Sequence, residues 1–295
     1  MIPDEYFNAG RVDRLLVNSF DFRNDEYREI PSFTNPMKPQ FPPLAIAVLM
    51  VVAFMITTPL LAQQSDSLKP ASVFRGAITA TNNGISLLPT FSLGKPAVIF
   101  DLAMGRRLTF EPQMRFAMEG KPWSFIFWWR YKVIAQPKFK LNVGAHPSLV
   151  FQTNTVILNG VTRDVMTSQR YLAAEIVPNY YLTKNTSIGI YYLQSHGFEP
   201  DATQNTYFFT VNANFSYIPI SGDYFLRFNP QVFYLKMDNH DGYFYTATIT
   251  AARKNFPLSV SSILNKRITS DIAASKDFIW NLSLVYSFSN TYTAR

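Results

Sequence analysis

From residue 72 to residue 288 the chain returns again and again to one pattern, apolar and polar side chains alternating with a period of two. That period marks strands whose two faces meet different surroundings. Over 107–119, Leu108, Phe110, Pro112, Met114, Phe116 and Met118 share one face. Arg107, Thr109, Glu111, Gln113, Arg115 and Glu119 share the other. The pattern recurs over 138–151, where Phe139, Leu141, Val143 and Leu149 oppose Lys138, Lys140, Asn142 and His146. It recurs over 206–217, and again at the end with Phe278, Trp280, Leu282, Leu284, Tyr286 and Phe288 on one side. Such runs exceed the five or six residues usual in a soluble sheet. They match the roughly 9–11 residues that a tilted strand needs to cross a bilayer.

Twelve segments carry the pattern, near 72–80, 96–104, 107–118, 123–134, 138–152, 168–182, 186–195, 205–218, 224–236, 243–252, 256–265 and 277–288. Alternate connections are short, as at 105–106, 135–137 and 183–185; the others are mostly longer, as at 81–95, 153–167 and 237–242. Aromatic residues gather near segment ends at Trp123, Tyr131, Tyr180, Tyr181, Tyr207, Tyr217, Tyr224 and Tyr234. Two interfacial girdles, an even strand number, and short turns on the side of both termini describe an outer-membrane barrel. The expected fold is therefore all-β, an antiparallel transmembrane β-barrel of about twelve strands, with ten to fourteen as the bracket.

One long uncharged apolar run, 44–62, precedes the alternating region. With Lys38 before it and Leu60-Leu61-Ala62 at its exit, 37–62 reads as a secretory signal peptide rather than a permanent anchor. The polar prefix 1–36 has mixed charge and no strong period, which points to translation starting at Met37. The expected organisation is then prefix 1–36, signal 37–62, periplasmic linker 63–71, barrel 72–288 and tail 289–295.

Charge and cysteine usage exclude several functions. The 27 Lys and Arg outnumber the 20 Asp and Glu, giving a net charge of +7. The basic residues are scattered singly, so the clustered footprint needed for nucleic acid is missing. With no cysteine there is no disulfide, thiol nucleophile, thiolate metal site or lipidated-Cys anchor. The three histidines, His146, His196 and His240, are too dispersed for a metal site, and no cofactor motif is present. Asn82-Asn83-Gly84 reads as a turn, and MDNHDG at 237–242 as a solvated loop lacking the full calcium pattern.

Three stretches, TNNGISLLPTFSLGKPAVIFDL (81–102), FEPQMRFAMEGKPWSFIFWWRYK (110–132) and LNVGAHPSLVF (141–151), resemble an uncharacterised family of outer-membrane β-barrel proteins from Bacteroidetes. The resemblance implies location and fold and carries no assigned reaction. LSLVYSF (282–288) resembles the C-terminal strand signal read by the barrel-assembly machinery, here followed by residues 289–295. The implied partners are that machinery during biogenesis and outer-membrane lipid, with a monomer favoured.

If the apolar face meets lipid, the lumen collects Arg75, Asp101, Arg107, Glu111, Arg115, Arg130, Lys132, Lys140, His146, Glu175 and Arg227. Basic residues outnumber acidic ones there, so the leading expectation is a narrow pore for small anionic solutes. The alternative is a pore-less structural or accessory barrel whose interior is filled by Arg–Glu pairs. A lipid-acting hydrolase is the third reading. His146 and Ser148 lie two apart on one face, and His-x-Ser superficially resembles the outer-membrane phospholipases. The Asn-Gly that follows in that family is replaced by Leu149-Val150, and His146 falls on the inward face. The expectation is a non-catalytic barrel.

Overall fold

The computed structural model describes residues 71–86, 92–158, 161–273 and 275–293. The prefix, the signal-like run and nearly all of the linker lie outside them. Thirteen strand segments form one antiparallel sheet that closes on itself. They are β1 (Ala71–Thr81), β2 (Ala97–Gly105), β3 (Leu108–Ala117), β4 (Pro122–Ala135), β5 (Phe139–Leu158), β6 (Val161–Tyr181) and β7 (Thr186–Gly197), then β8 (Asn205–Ser221), β9 (Tyr224–Met237), β10 (His240–Arg253), β11 (Leu258–Ser270), β12 (Phe278–Trp280) and β13 (Ser283–Thr293). Strands β1 to β12 pair in sequence order, and β1 pairs with β13 to close the ring. β12 and β13 both pair with β11 and form one stave, so the barrel has twelve.

The short break inside that stave has a chemical cause. Asn281 turns its side-chain carbonyl onto the Ile263 amide (2.7 Å), where a ladder carbonyl would otherwise sit. Its amide group reaches the Asn83 carbonyl (3.2 Å), while Asn82 Oδ1 accepts from the Leu282 amide (2.8 Å). Asn83 Nδ2 donates to the Trp280 carbonyl (3.1 Å). The asparagine pair read as a plain turn is thus part of the seam that closes the barrel at the loop end.

Pairing register assigns the faces, because directly opposed residues point the same way and neighbours alternate. Ile78, Met104, Trp129, Leu172, Ile176, Ile188, Ile190, Phe209, Val211, Val232, Val260, Leu282 and Leu284 all point outward and are exposed. A continuous apolar belt of this extent has no place in water, and lipid is the solvent it fits. Closure satisfies every strand edge, the condition for a sheet in hydrocarbon. Tyr131, Tyr180 and Tyr224 stand outward near the turn end, and Tyr234 packs at a tilt against Tyr243 near the loop end with ring centroids 5.0 Å apart. Trp123 and Tyr181, expected in the girdles, face the interior instead.

Several boundaries differ from the sequence reading, among them the expected connection 266–276, whose first five residues belong to β11. Segment 153–167, expected as a loop, continues β5 and β6 as a long hairpin paired from Phe139↔Tyr180 to Leu158↔Val161. Residues 237–242 are a tight turn at Asp238 and Asn239, with Asp238 at φ 53° and His240 already opposite Met237. The tail also stays in the sheet: β13 continues to Thr293, opposite Ala71, because 289–293 find open ladder positions on β1.

Candidate functional site: the barrel interior

The interior is divided in character. On the β8–β10 wall of the loop half, Phe208, Phe233, Leu235 and Phe244 are completely buried. Phe233 stacks on Phe244 at 5.0 Å and meets Phe208 at 4.9 Å. Ile272 descends from the 271–277 connection onto this cluster. Ile85, from the connection after β1, and Ala202, from the one after β7, are buried as well. The loop end is therefore covered by its own connections.

Beside the Phe cluster, whose packed core also takes in Trp128, Ala173 and Leu193, lies a cavity of about 270 Å³ on the β3–β7 wall, bounded by Arg115, Trp123, Ser124, Trp128, His146 and Leu193, among others. A second cavity of about 310 Å³ occupies the turn half and is lined by Asn179, Tyr181, Asn212, Asn214, Asn229 and Gln231. Tyr191 borders both.

A charged crossbar stands at the level where they meet. Arg130 on β4 donates from Nη1 to Glu111 Oε2 of β3 (2.5 Å) and from Nε to Glu175 Oε1 of β6 (2.6 Å). Tyr191 Oη donates to Glu175 Oε2 (2.7 Å), and Thr109 Oγ1 to Glu111 Oε1 (2.8 Å). Arg130 reaches past β5 to Glu175 only because residue 144 is glycine. A Cβ there would lie 2.9 Å from Glu175 Oε1 and 3.0 Å from Arg130 Cγ. Glycine in a strand where another group approaches closely has this use. The guanidinium also lies over the Trp128 ring, 4.1 Å from its centroid. Each charge is thus bound at several points, the condition under which buried ions are tolerated.

The inward face also carries Arg75, Asp101, Arg115, Lys140, His146 and Arg227. Lys140 stands over Tyr181 (4.3 Å) and Arg227 over Phe225 (5.3 Å). Arg107 and Lys132, also expected in the lumen, stand at its turn-end rim, Lys132 with inward parity opposite Asn142. Arg107 lies in the β2–β3 turn and donates to the Lys132 carbonyl (3.0 Å), and Lys132 Nζ donates back to the Arg106 carbonyl (2.9 Å). Both fasten the turn-end rim, because the strands end there and free carbonyls are within reach. His146 and Ser148 do share the inward face, both buried, yet no hydrogen bond joins them among the described residues. Sequence reading passed over Tyr191, Ser124, Trp128 and Gly144. Inward parity was the available signal for the first three, and nothing short of register marks Gly144.

The 198–204 connection is held by Glu199, which accepts from the Arg170 amide (2.6 Å) and from Arg170 Nε (2.5 Å). The Arg170 guanidinium keeps the Glu199 carboxyl below its ordinary range. A depressed carboxylate holds its contact above the unfolded value and loses it as pH falls through the folded one. Limited proteolysis of this loop should therefore be slow at neutral pH and accelerate below the ordinary carboxylate range, near pH 4. Glu199→Gln should be cut quickly at both.

No family model and no curated protein matches the chain. Among solved structures, the KdgM porin in complex with disordered oligogalacturonate aligns at 10% identity over 73% of this chain and 99% of its own, with a TM-score of 0.46. LpxR from Salmonella typhimurium aligns at 10% identity over 72% of this chain and 100% of its own, with a TM-score of 0.41. In-vitro folded OmpT of Vibrio cholerae aligns at 9% over 76% and 100%, with a TM-score of 0.36. The closed twelve-stave ring, its apolar belt and its polar, charged interior make this chain an outer-membrane β-barrel protein.

Proposed function

We propose that the barrel is a narrow passage for small anionic solutes, constricted at mid-depth by Glu111, Arg130, Glu175 and Tyr191. The observation that carries this reading is the pair of cavities that succeed one another along the lumen and share Tyr191 as a wall. Charge sets the preference. Two of the inward carboxylates, Glu111 and Glu175, are spent on Arg130. Arg75, Arg115, Lys140 and Arg227 have no carboxylate within ion-pair distance among the described residues. Fixed cations with unspent charge lower the barrier for anions. Following the usual orientation of such barrels, the open polar cavity faces the periplasm and the loop-covered end faces outward.

No catalytic step enters this reading, because among the described residues His146 and Ser148 share no hydrogen bond and His146 Nδ1 has no orienting partner of the kind a nucleophile's base requires. A pore-less barrel is the second reading, favoured by the completely buried Phe208, Phe233 and Phe244.

Reconstitution in a planar bilayer under a salt gradient separates the two. The passage predicts small, reproducible steps with a reversal potential displaced toward the anion. Lys140→Glu and Arg227→Glu together should move that potential toward the cation side. A silent bilayer, with heat-modifiable gel mobility showing the barrel folded, would overturn the passage and establish the filled lumen.

A further inference from the structure

We infer that the 270 Å³ cavity on the β3–β7 wall is a binding site for a small organic acid, one carboxylate carried on an apolar, ring-sized body. Three polar atoms around this one cavity are buried without a hydrogen-bond partner among the described residues: Arg115 Nε, Ser124 Oγ and His146 Nδ1. Ser124 is 5% exposed and His146 7%, so bulk water does not serve them. Buried polar groups are nearly always paired, and an orphan in a native fold calls for an explanation. Three orphans grouped around one cavity are groups that a ligand there would satisfy once their side chains turn slightly toward it.

The chemistry of the orphans selects its class. Arg115 Nε is a donor only, and a serine hydroxyl donates as readily as it accepts. Arg115 and Ser124 are directly opposed across the β3–β4 ladder, so their groups emerge side by side. A carboxylate presents two acceptor oxygens at that spacing and forms charge-assisted bonds with both. Arg115 spends Nη2 on Gln113 Oε1 (3.2 Å). Its acidic neighbour, Asp101, lies diagonally across β2–β3 and attracts it without forming an ion pair, so no carboxylate oxygen occupies its donors. Arg130, by contrast, is saturated by two carboxylates.

Trp128, Ile126 and Leu193 supply the apolar wall below, and the His146 ring stands edge-on to Trp128 at 4.1 Å. A mainly apolar concavity with a few convergent polar groups is the usual form of a small-molecule site. His146 Nδ1 offers one further hydrogen bond to a polar substituent on the far side of the ring. The inference goes beyond the passage reading, since a site of this kind holds its ligand at equilibrium whether or not ions cross.

Benzoate is the probe, with uncharged benzamide as its isostere, titrated into the folded full chain while tryptophan fluorescence is followed. Saturable binding of benzoate, at least tenfold tighter than benzamide, is expected. Losing a charge-assisted bond should weaken benzoate about 10- to 100-fold in Arg115→Gln. Ser124→Ala should weaken it several-fold with no charge lost, which covers the case where the arginine variant fails to fold. Arg227→Gln, outside this cavity, should bind normally. Equal affinity for benzoate and benzamide, indifference to both substitutions in folded protein, or no saturable binding at all would each overturn the site. Benzoate binding in a barrel that conducts nothing would uphold the site and remove only the passage.

Discussion

Replacing Arg130 by methionine is expected to destabilise the folded barrel by about 3–5 kcal/mol, the cost of leaving buried charge without its partner. Glu111 and Glu175 would then face each other across the lumen, and the Glu175 side chain is only 1% exposed. Urea unfolding in lipid or detergent, read by intrinsic fluorescence, measures the loss. The companion experiment decides the cause. Arg130→Met combined with Glu111→Gln and Glu175→Gln removes all three charges and should recover most of the stability, since apolar or neutral replacement of a whole buried ion set is often neutral. If the triple variant is as unstable as the single one, the stacking of the Arg130 guanidinium on the Trp128 ring accounts for the effect instead.

The second large effect is expected at Phe233. Its ring is 1% exposed and packs between Phe208 and Phe244. Phe233→Ala should cost about 3–5 kcal/mol through lost transfer energy and the void left behind. The same void lies inside the lumen. Single-channel conductance should therefore rise in Phe233→Ala while anion preference persists, because none of the inward cations is touched. Unchanged conductance with the full loss of stability would show that this half of the interior is separate from the route ions take.

These two sites show how far a sequence of this kind can be read. Faces were legible: the alternation over 107–119 and 278–288 placed Glu111 and Arg115 inside and Leu282 and Leu284 outside, because a strand's period is two whatever its partner. Partners were not legible. Glu111, Arg130 and Glu175 all stood among the inward residues, but their meeting depends on the register of β3, β4, β5 and β6 and on the missing Cβ of Gly144. Register is a long-range property, and no local pattern encodes it.

The misread connections share a physical origin. Residues 152–155 and 167–169 are polar on both faces, since a hairpin that extends past the bilayer has no lipid to match, and without contrast the period cannot be seen. Asp238-Asn239 was absorbed into a longer loop because Gly242, tucked against the Ser270 side chain on the paired strand β11, reads as a breaker when seen alone. Asn281 interrupts its strand through a side-chain bond to a backbone amide, a competition that asparagine often enters but that only tertiary context resolves.

The absence of native cysteine allows each face to be probed by a single introduced thiol. The most direct test uses two neighbours on β8, Val211 and Asn212, in the reconstituted barrel. Val211→Cys should be protected from a charged, water-soluble thiol reagent and its spin-labelled form quenched by a relaxation agent dissolved in lipid. Asn212→Cys, lining the turn-half cavity, should react with the charged reagent and be silent to the lipid agent. The reverse pattern, or equal reactivity at both positions, would contradict an apolar belt in lipid around a polar lumen.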